Sequence, residues 1–327
     1  MSGLFAEIRA ACAEVVARAR FVRLDPQALE GLARALVSER AAPPSYDATT
    51  HHRGTPASTL AYVITLDAIN FGSGWFPRLR KRAGRSGYYT IAMGLKDRFD
   101  REGAWGAAEL AELRVEQVAR VLGQESADAE LAELMELFAR ALNELGEHLL
   151  ARHGGRFEGL VEEAGGSAER LVGTLARMPL YRDVAHYRTP SESEAGLAVP
   201  FYKRAQITAA DLALAFEGRG AGRFRDLDQL TAFADNLVPH VLRMAGALRY
   251  APELEKRIEA GESLAAGSAE EVEIRAAGLQ AVERLVEASR RAGMPTTARE
   301  VDAVLWQRGQ RPEIKAHPRH RTRCPWY

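Results

Sequence analysis

A chain of 327 residues can bury one large core or two smaller ones, and so can build a real pocket. Lys+Arg 44 against Asp+Glu 44 leaves a formal net charge of zero, which argues against a nucleic-acid or membrane partner held by bulk electrostatics and for a small substrate. Two cysteines at opposite ends, Cys12 and Cys324, suggest neither a disulfide framework nor a zinc site, and no metal or other cofactor is expected.

The amino-terminal stretch MSGLFAEIRAACAEVV carries Glu7 and Glu14 inside its apolar pattern, so it does not read as a signal peptide. No uncharged run of about 18 apolar residues follows. The expectation is a cytoplasmic protein.

Residues 4–19 place Leu4, Phe5, Ile8, Ala11, Cys12, Val15 and Val16 on one helical face, which makes Cys12 a small buried hydrophobe. A second helix is expected directly after it, capped by Asp25 and opened by Pro26. The connector AAPPSYDATTHHRGTPAS follows. Its His51 and His52 read as surface or pocket-rim residues, since no carboxylate or cysteine stands at ligand spacing. LAYVITLDAINF, residues 60–71, is a core helix or a buried strand; its Asp67 and Asn70 need partners, from local backbone or from a ligand. The basic run RLRKRAGRSG is short and lacks interleaved aromatics, so it reads as a solvated loop.

From 105 to 151 the spacing predicts two amphipathic helices, and Gly154 and Gly155 end the second. Ser167 can cap ERLVGTLARM, with Pro179 beyond its end. RTPSESEAGLA, residues 188–198, is a loop and a candidate lid. Residues 201–217 predict a helix closed by Gly218. The following GRGAG turn is no Walker loop, because it follows a helix and lacks the GK[ST] ending.

Asp226 or Asp228 is expected to open a short helix through Phe233. Pro239 suits the first turn of the next helix, which puts Asp235 at or just before a helix N-terminus, as a cap or as a catalytic acid. Capping boxes at Ser268/Glu271 and Thr297/Glu300 start two further helices. Asp302 then lies near an apolar face, paired with an arginine or aimed into a pocket. The tail HPRHRTRCPWY can be anchored by Trp326 and Tyr327, leaving Arg321 and Arg323 for a carboxylate or phosphate.

Only five of the basic residues are lysines, and Lys203 is the only one between Lys96 and Lys256. Lysine titrates more readily than arginine when buried, which favours chemistry at Lys203. An ion pair with Asp211 or Asp235 is the structural alternative.

The phrases VPFYKRAQITAADLALAFEG, FRDLDQLTAFADNLVPHVLR, GSAEEVEIRAAGLQAVE, VDAVLW and HRTRCPWY resemble the queuosine salvage family over roughly residues 50–327. The resemblance implies a mainly α, compact multi-helix fold like that of helix-hairpin-helix DNA glycosylases. The expected organisation is one helical catalytic domain over 1–327, with 1–180 a candidate N-terminal subdomain and 181–327 a catalytic core. The implied activity is hydrolysis of queuosine 5'-monophosphate to queuine and ribose 5-phosphate. Asp235 and Lys203 match the family's catalytic pair. Asn70 and Phe71 match the family's substrate-pocket phrase, although NF is followed here by GSGWFP in place of a more continuous aromatic stretch; Asp302 matches an acidic position that could bind the base, and Tyr202 and Arg321 are further candidate substrate contacts.

The chemistry suits these residues. Queuine is a 7-deazaguanine with carbon where a purine has N7, so the usual protonation site that helps a purine depart is missing. Asp235 would stabilise the oxocarbenium-like sugar or attack it, and Lys203 would orient Asp235, assist the base or contact the phosphate. The alternatives are a queuine-binding protein without activity and a nucleic-acid glycosylase; zero net charge weighs against the latter.

Overall fold

The computed structural model describes residues 3–39, 45–189 and 196–327. In chain order these form α1 (Leu4–Arg18), β1 (Val22–Leu24), α2 (Pro26–Glu39), α3 (Pro56–Ala68), α4 (Gly87–Glu102), α5 (Ala107–Ala111), α6 (Val115–Val121), α7 (Ala129–His153), α8 (Phe157–Ala164) and α9 (Ala168–Leu175). Then come β2 (Val184–Tyr187), β3 (Leu197–Pro200), α10 (Lys203–Ala215), α11 (Leu237–Met244), β4 (Leu248–Tyr250), α12 (Pro252–Glu259), α13 (Ala269–Arg291), α14 (Ala298–Gly309) and α15 (Pro312–Lys315). The fold is mainly α, and its strands form two short antiparallel pairs, β1 with β4 and β2 with β3. No helix among the described residues is long and apolar enough to cross a membrane.

The chain divides into two units that alternate along the sequence: Met1–Pro44, Asp183–Lys203 and Asp228–Arg323 in the first, and Ser45–Arg182, Arg204–Leu227 and Cys324–Tyr327 in the second.

The first unit is built on α13, which packs against α1, α2, α11 and α14. Its N-terminal half is buried on every side, so Glu271, Glu273 and Arg275 are sealed within the core and each must be satisfied there. Glu273 shows how. Its Oε2 accepts from the amides of Arg20, Phe21 and Val22 at 3.0, 2.6 and 3.1 Å, and its Oε1 from the Tyr187 hydroxyl at 2.8 Å. That carboxylate fixes the turn into β1, an element that interrupts the expected direct passage from α1 to α2.

Helix α11 is admitted closely by two glycines. A Cβ on Gly278 would lie 2.8 Å from Pro239 Cγ, and one on Gly309 2.6 Å from Leu237 Cγ. Of the two expected capping boxes, Thr297/Glu300 forms in full. Ser268 Oγ accepts from Glu271 N at 3.3 Å, but the Glu271 carboxylate takes Gly267 N instead of the Ser268 amide.

In the second unit, residues 56–68 resolve as the buried helix α3, capped by Thr55, and α3 packs on α4, α7 and α8. The expected first helix of the 105–151 stretch is two helices, α5 and α6. Asn143 Nδ2 donates to the carbonyls of Leu110 and Leu113 at 2.8 and 3.1 Å, satisfying groups that a continuous helix would have paired internally. Asp226 caps α9 instead of opening its own helix: it accepts from Ser167 Oγ at 2.7 Å and from the amides of Ala168 and Glu169. The C-terminus is anchored, with Tyr327 buried and its carbonyl accepting from Gly72 N at 3.0 Å.

The expected short helix through Phe233 is only a 3-10 turn at Leu227–Gln229 followed by chain without regular structure. Arg9 takes the carbonyls of Gln229 and Leu230, so this backbone is satisfied by a side chain and not by helix. Residues 190–195 of the expected lid lie outside the described residues. The flanks of that loop pair as β2 and β3, from Val184 opposite Pro200 to Tyr187 opposite Leu197.

Candidate active site

Asp235 ends the irregular segment after Gln229 and precedes α11. Its Oδ1 accepts from the amides of Leu237 and Val238, both at 2.9 Å, satisfying two of the donors a helix start leaves open. Its Oδ2 has no hydrogen bond among the described residues. Burial raises the Asp235 pKa, against the pull of Lys203, the two amides and Arg319. The group is therefore a cap, as the helix start predicts, with one oxygen still uncommitted.

Asp302 on α14 is 3% exposed, and its Oδ1 accepts from Phe233 N at 2.9 Å. It makes no arginine pair among the described residues. Burial, and then the negative charge of Asp235, push its carboxyl well above the usual range, with the Phe233 amide and Lys203 acting in the opposite sense. Of these two interacting acids Asp302 is the one that holds its proton longer.

Lys203 is the first residue of α10, 6% exposed, with its charge felt at both carboxyls. Tyr202 before it sits at φ 47, a left-handed conformation that costs a non-glycine residue of order 1 kcal/mol or more. What holds it there is Asp183. The Asp183 carbonyl accepts from Phe201 N at 2.9 Å and Tyr202 N at 3.3 Å, and its Oδ2 accepts from Lys203 N at 3.2 Å.

Asp183 is in turn gripped by Arg275 through two hydrogen bonds of 3.0 and 2.6 Å. The same guanidinium donates through Nε to the Ala234 carbonyl at 3.0 Å and stacks 3.9 Å from the Phe201 ring centre, with Glu271 Oε1 3.5 Å from Nη1. One buried arginine thus fixes the main chain beside Asp235 and, through Asp183, the main chain at Lys203. Sequence reasoning missed this clamp. The available signal was a charged trio, Glu271, Glu273 and Arg275, inside a helix whose neighbours are apolar.

The other expected site residues fall as follows. Arg321 has an exposed side chain, and its carbonyl accepts from Leu264 N at 2.8 Å. Asn70 and Phe71 belong to the second unit. There Asn70 Nδ2 lies 3.4 Å from Asp67 Oδ1, and Phe71 packs edge-on to Phe138 beneath the Arg204 guanidinium. His52 is buried between Asp100 and Ser58, and His51 bonds the Tyr88 hydroxyl at 2.8 Å. Among the described residues no group of three or more His, Cys, Asp or Glu is placed to hold a metal ion.

A family model described as queuosine salvage protein matches residues 50–327. The chain is 40% identical over 319 residues to a queuosine 5'-phosphate N-glycosylase/hydrolase of Sphaerobacter thermophilus, covering 96% of this chain and 95% of that protein. Proteins of the same description from Mus musculus and Dictyostelium discoideum are 33% and 31% identical, covering 84% and 82% of this chain and 84% and 78% of theirs.

Proposed function

The chain belongs to the queuosine salvage protein family, and on that premise we propose that it hydrolyses the N-glycosidic bond of queuosine 5'-monophosphate, releasing queuine, with Asp235 and Lys203 as the catalytic pair. Water gives its hydroxyl to C1' and a proton to the ring nitrogen of the departing base.

The observation that carries the assignment of roles is the asymmetry of Asp235. Oδ1 is locked by two amides, and Oδ2 makes no hydrogen bond among the described residues. A preorganised negative oxygen costs no reorganisation when positive charge develops at C1', and one such group lowers a barrier by about 2.7–4 kcal/mol by analogy with oxyanion holes. Asp235 acts there as stabiliser or as nucleophile. Lys203, held by its own amide on Asp183, supplies the positive charge that assists the base as it leaves without an N7 to protonate.

The test is incubation of wild type and Asp235→Asn with queuosine 5'-monophosphate, following released base by chromatography. The asparagine side chain keeps an oxygen for both amides, so the variant is expected to fold. Release by the wild type alone supports the reading. Equal release by both removes Asp235 from the chemistry, and binding without release by either turns the protein into a carrier.

A further inference from the structure

Arg319 is a half-buried cation that no carboxylate among the described residues reaches at ion-pair distance. The segment that carries it is fixed to α11 by three side chains of that helix and its cap. His240 Nε2 donates to the Ile314 carbonyl at 3.0 Å, Arg243 Nη2 to that of Pro318 at 2.7 Å, and Asn236 Nδ2 to that of His320 at 3.3 Å. Positions 236, 240 and 243 are spaced four and three apart, so one helical face holds the whole strap. A fourth carbonyl, that of Arg321, is taken by Leu264 N. The strap is therefore pinned to the helix whose first amides Asp235 caps.

On this rigid mount the Arg319 guanidinium makes no hydrogen bond or ion pair among the described residues, and its Nε is shut off from solvent without an acceptor. Its charged neighbours are Asp235, which attracts it without reaching ion-pair distance, and Arg321, which repels it. Burial lowers its pKa. The histidines on either side add no charge near neutrality, because burial holds His320 down to about 3 with the surrounding arginines adding to it, and holds His240 to about 4 against its bond to the Ile314 carbonyl. A guanidinium whose Nε is buried with no acceptor among the described residues is a standing cost. An incoming anion offsets that cost, and the planar guanidinium fork suits the oxygens of a phosphomonoester.

We propose that Arg319 is the residue by which the site reads the 5'-phosphate, so that it sets the preference for nucleotide over nucleoside. The proposal rests on the glycosidase reading above. Asp235 serves C1', Arg319 stands within its field but out of contact, and a furanose between them would present its two ends to the two charges. Arg321, exposed on the same strap, adds a screened second attraction.

The experiment compares wild type, Arg319→Gln, Arg319→Lys and Arg321→Gln. Turnover is measured on queuosine 5'-monophosphate and on queuosine itself, and binding of ribose 5-phosphate is measured by calorimetry as a readout independent of turnover. Arg319→Gln is expected to lose about a hundredfold in kcat/KM on the nucleotide, mostly in KM, and to bind ribose 5-phosphate correspondingly less tightly. Its turnover of the nucleoside changes by less than about threefold. Arg319→Lys recovers part of the loss, and Arg321→Gln loses less than Arg319→Gln. The melting temperature of Arg319→Gln equals or exceeds that of wild type, which a structural arginine would not allow.

Equal losses on nucleotide and nucleoside, or unchanged ribose 5-phosphate binding in Arg319→Gln, overturn the assignment. If wild type releases no base from either compound, the glycosidase reading fails on its own, and the ribose 5-phosphate titration still decides Arg319.

Discussion

Two arginines of the same unit stand near the same aspartate, one buried and one half-buried, and are treated in opposite ways. Arg275 gives Nη1 and Nη2 to Asp183, Nε to the Ala234 carbonyl and its flat face to Phe201. Arg319 gives nothing to any described residue. A fully matched buried charge holds a shape, and its removal should be read in stability. An unmatched one on a rigid mount weakens the fold until a ligand arrives, and its removal should be read in substrate preference. Arg275 is the more deeply buried of the two, and the sharper difference is the tally of partners.

The largest effect expected is at the acid both arginines flank. Asp235→Asn should lower kcat by at least about a thousandfold with little change in melting temperature, since its loss is one of preorganised charge. Breaking the matched arginine comes next. Arg275→Met leaves Asp183 buried without its cation and should cost about 3–5 kcal/mol of stability. Denaturant melts check this, and the double variant Arg275→Met/Asp183→Asn should recover much of the loss. The surviving folded fraction of Arg275→Met should also show reduced kcat, because the main chain at Ala234 and at Lys203 loses its common tie. A variant with normal kcat and only lowered stability would reduce the clamp to a core contact.

This contrast also explains what could be read from the chain in advance. Helices whose stripes are apolar, such as α1 and α7, were legible because periodicity alone specifies them. Asp235 was legible as a helix-start acid, and Thr297 and Glu300 as a box, because capping is a local rule. Glu273, Asp183 and Asp226 were not legible. Each satisfies amides far away in sequence: Glu273 those at 20–22, Asp183 that of Lys203, Asp226 those at 168–169. The same non-local pairing explains the break between α5 and α6, which Asn143 makes from another helix. Arg319 escaped notice for a different reason: its significance lies in bonds that it does not make.

Acid should expose the unmatched arginine in a second way. His240 and His320 are held neutral, with pKa about 4 and about 3, by burial first; for His320 the Arg319 charge is next, followed by Arg275, His240 and Arg243. Their folded values lie below the unfolded value near 6.5. The stability they contribute is whole above about pH 6.5, and it is lost as pH falls from there through the folded values, at about 1.4 kcal/mol per proton per pH unit. Asp235 and Asp302 are raised, so they give back stability in the acid range and blunt the loss. Removing Arg319 lets His320 take its proton more easily in the folded state and raises Asp235 further. Both changes shift the acid-unfolding midpoint of Arg319→Gln to lower pH, which fluorescence titration against wild type measures. A midpoint moved upward would mean that Arg319 supports the fold through contacts of its own.

The smallest effect is predicted at Asp302, and it follows from which acid of the pair keeps its proton. Asp302 accepts the Phe233 amide through Oδ1, and burial together with the Asp235 charge holds the carboxyl protonated well above the ordinary range. A protonated carboxyl offers a carbonyl acceptor and an O–H donor, and an asparagine amide of nearly the same shape offers a carbonyl acceptor and an N–H donor group. Asp302→Asn should therefore keep kcat within about tenfold of wild type near neutrality. Asp302→Ala removes the acceptor of the Phe233 amide and should lose about 1–3 kcal/mol of stability. The acid limb of the kcat/KM profile separates this picture from its rival. If Asp302 is neutral where Asp235 titrates, the limb stays in place in Asp302→Asn. If Asp302 is instead an anion that repels Asp235, removing its charge lowers the Asp235 pKa and moves the limb to lower pH by about one unit.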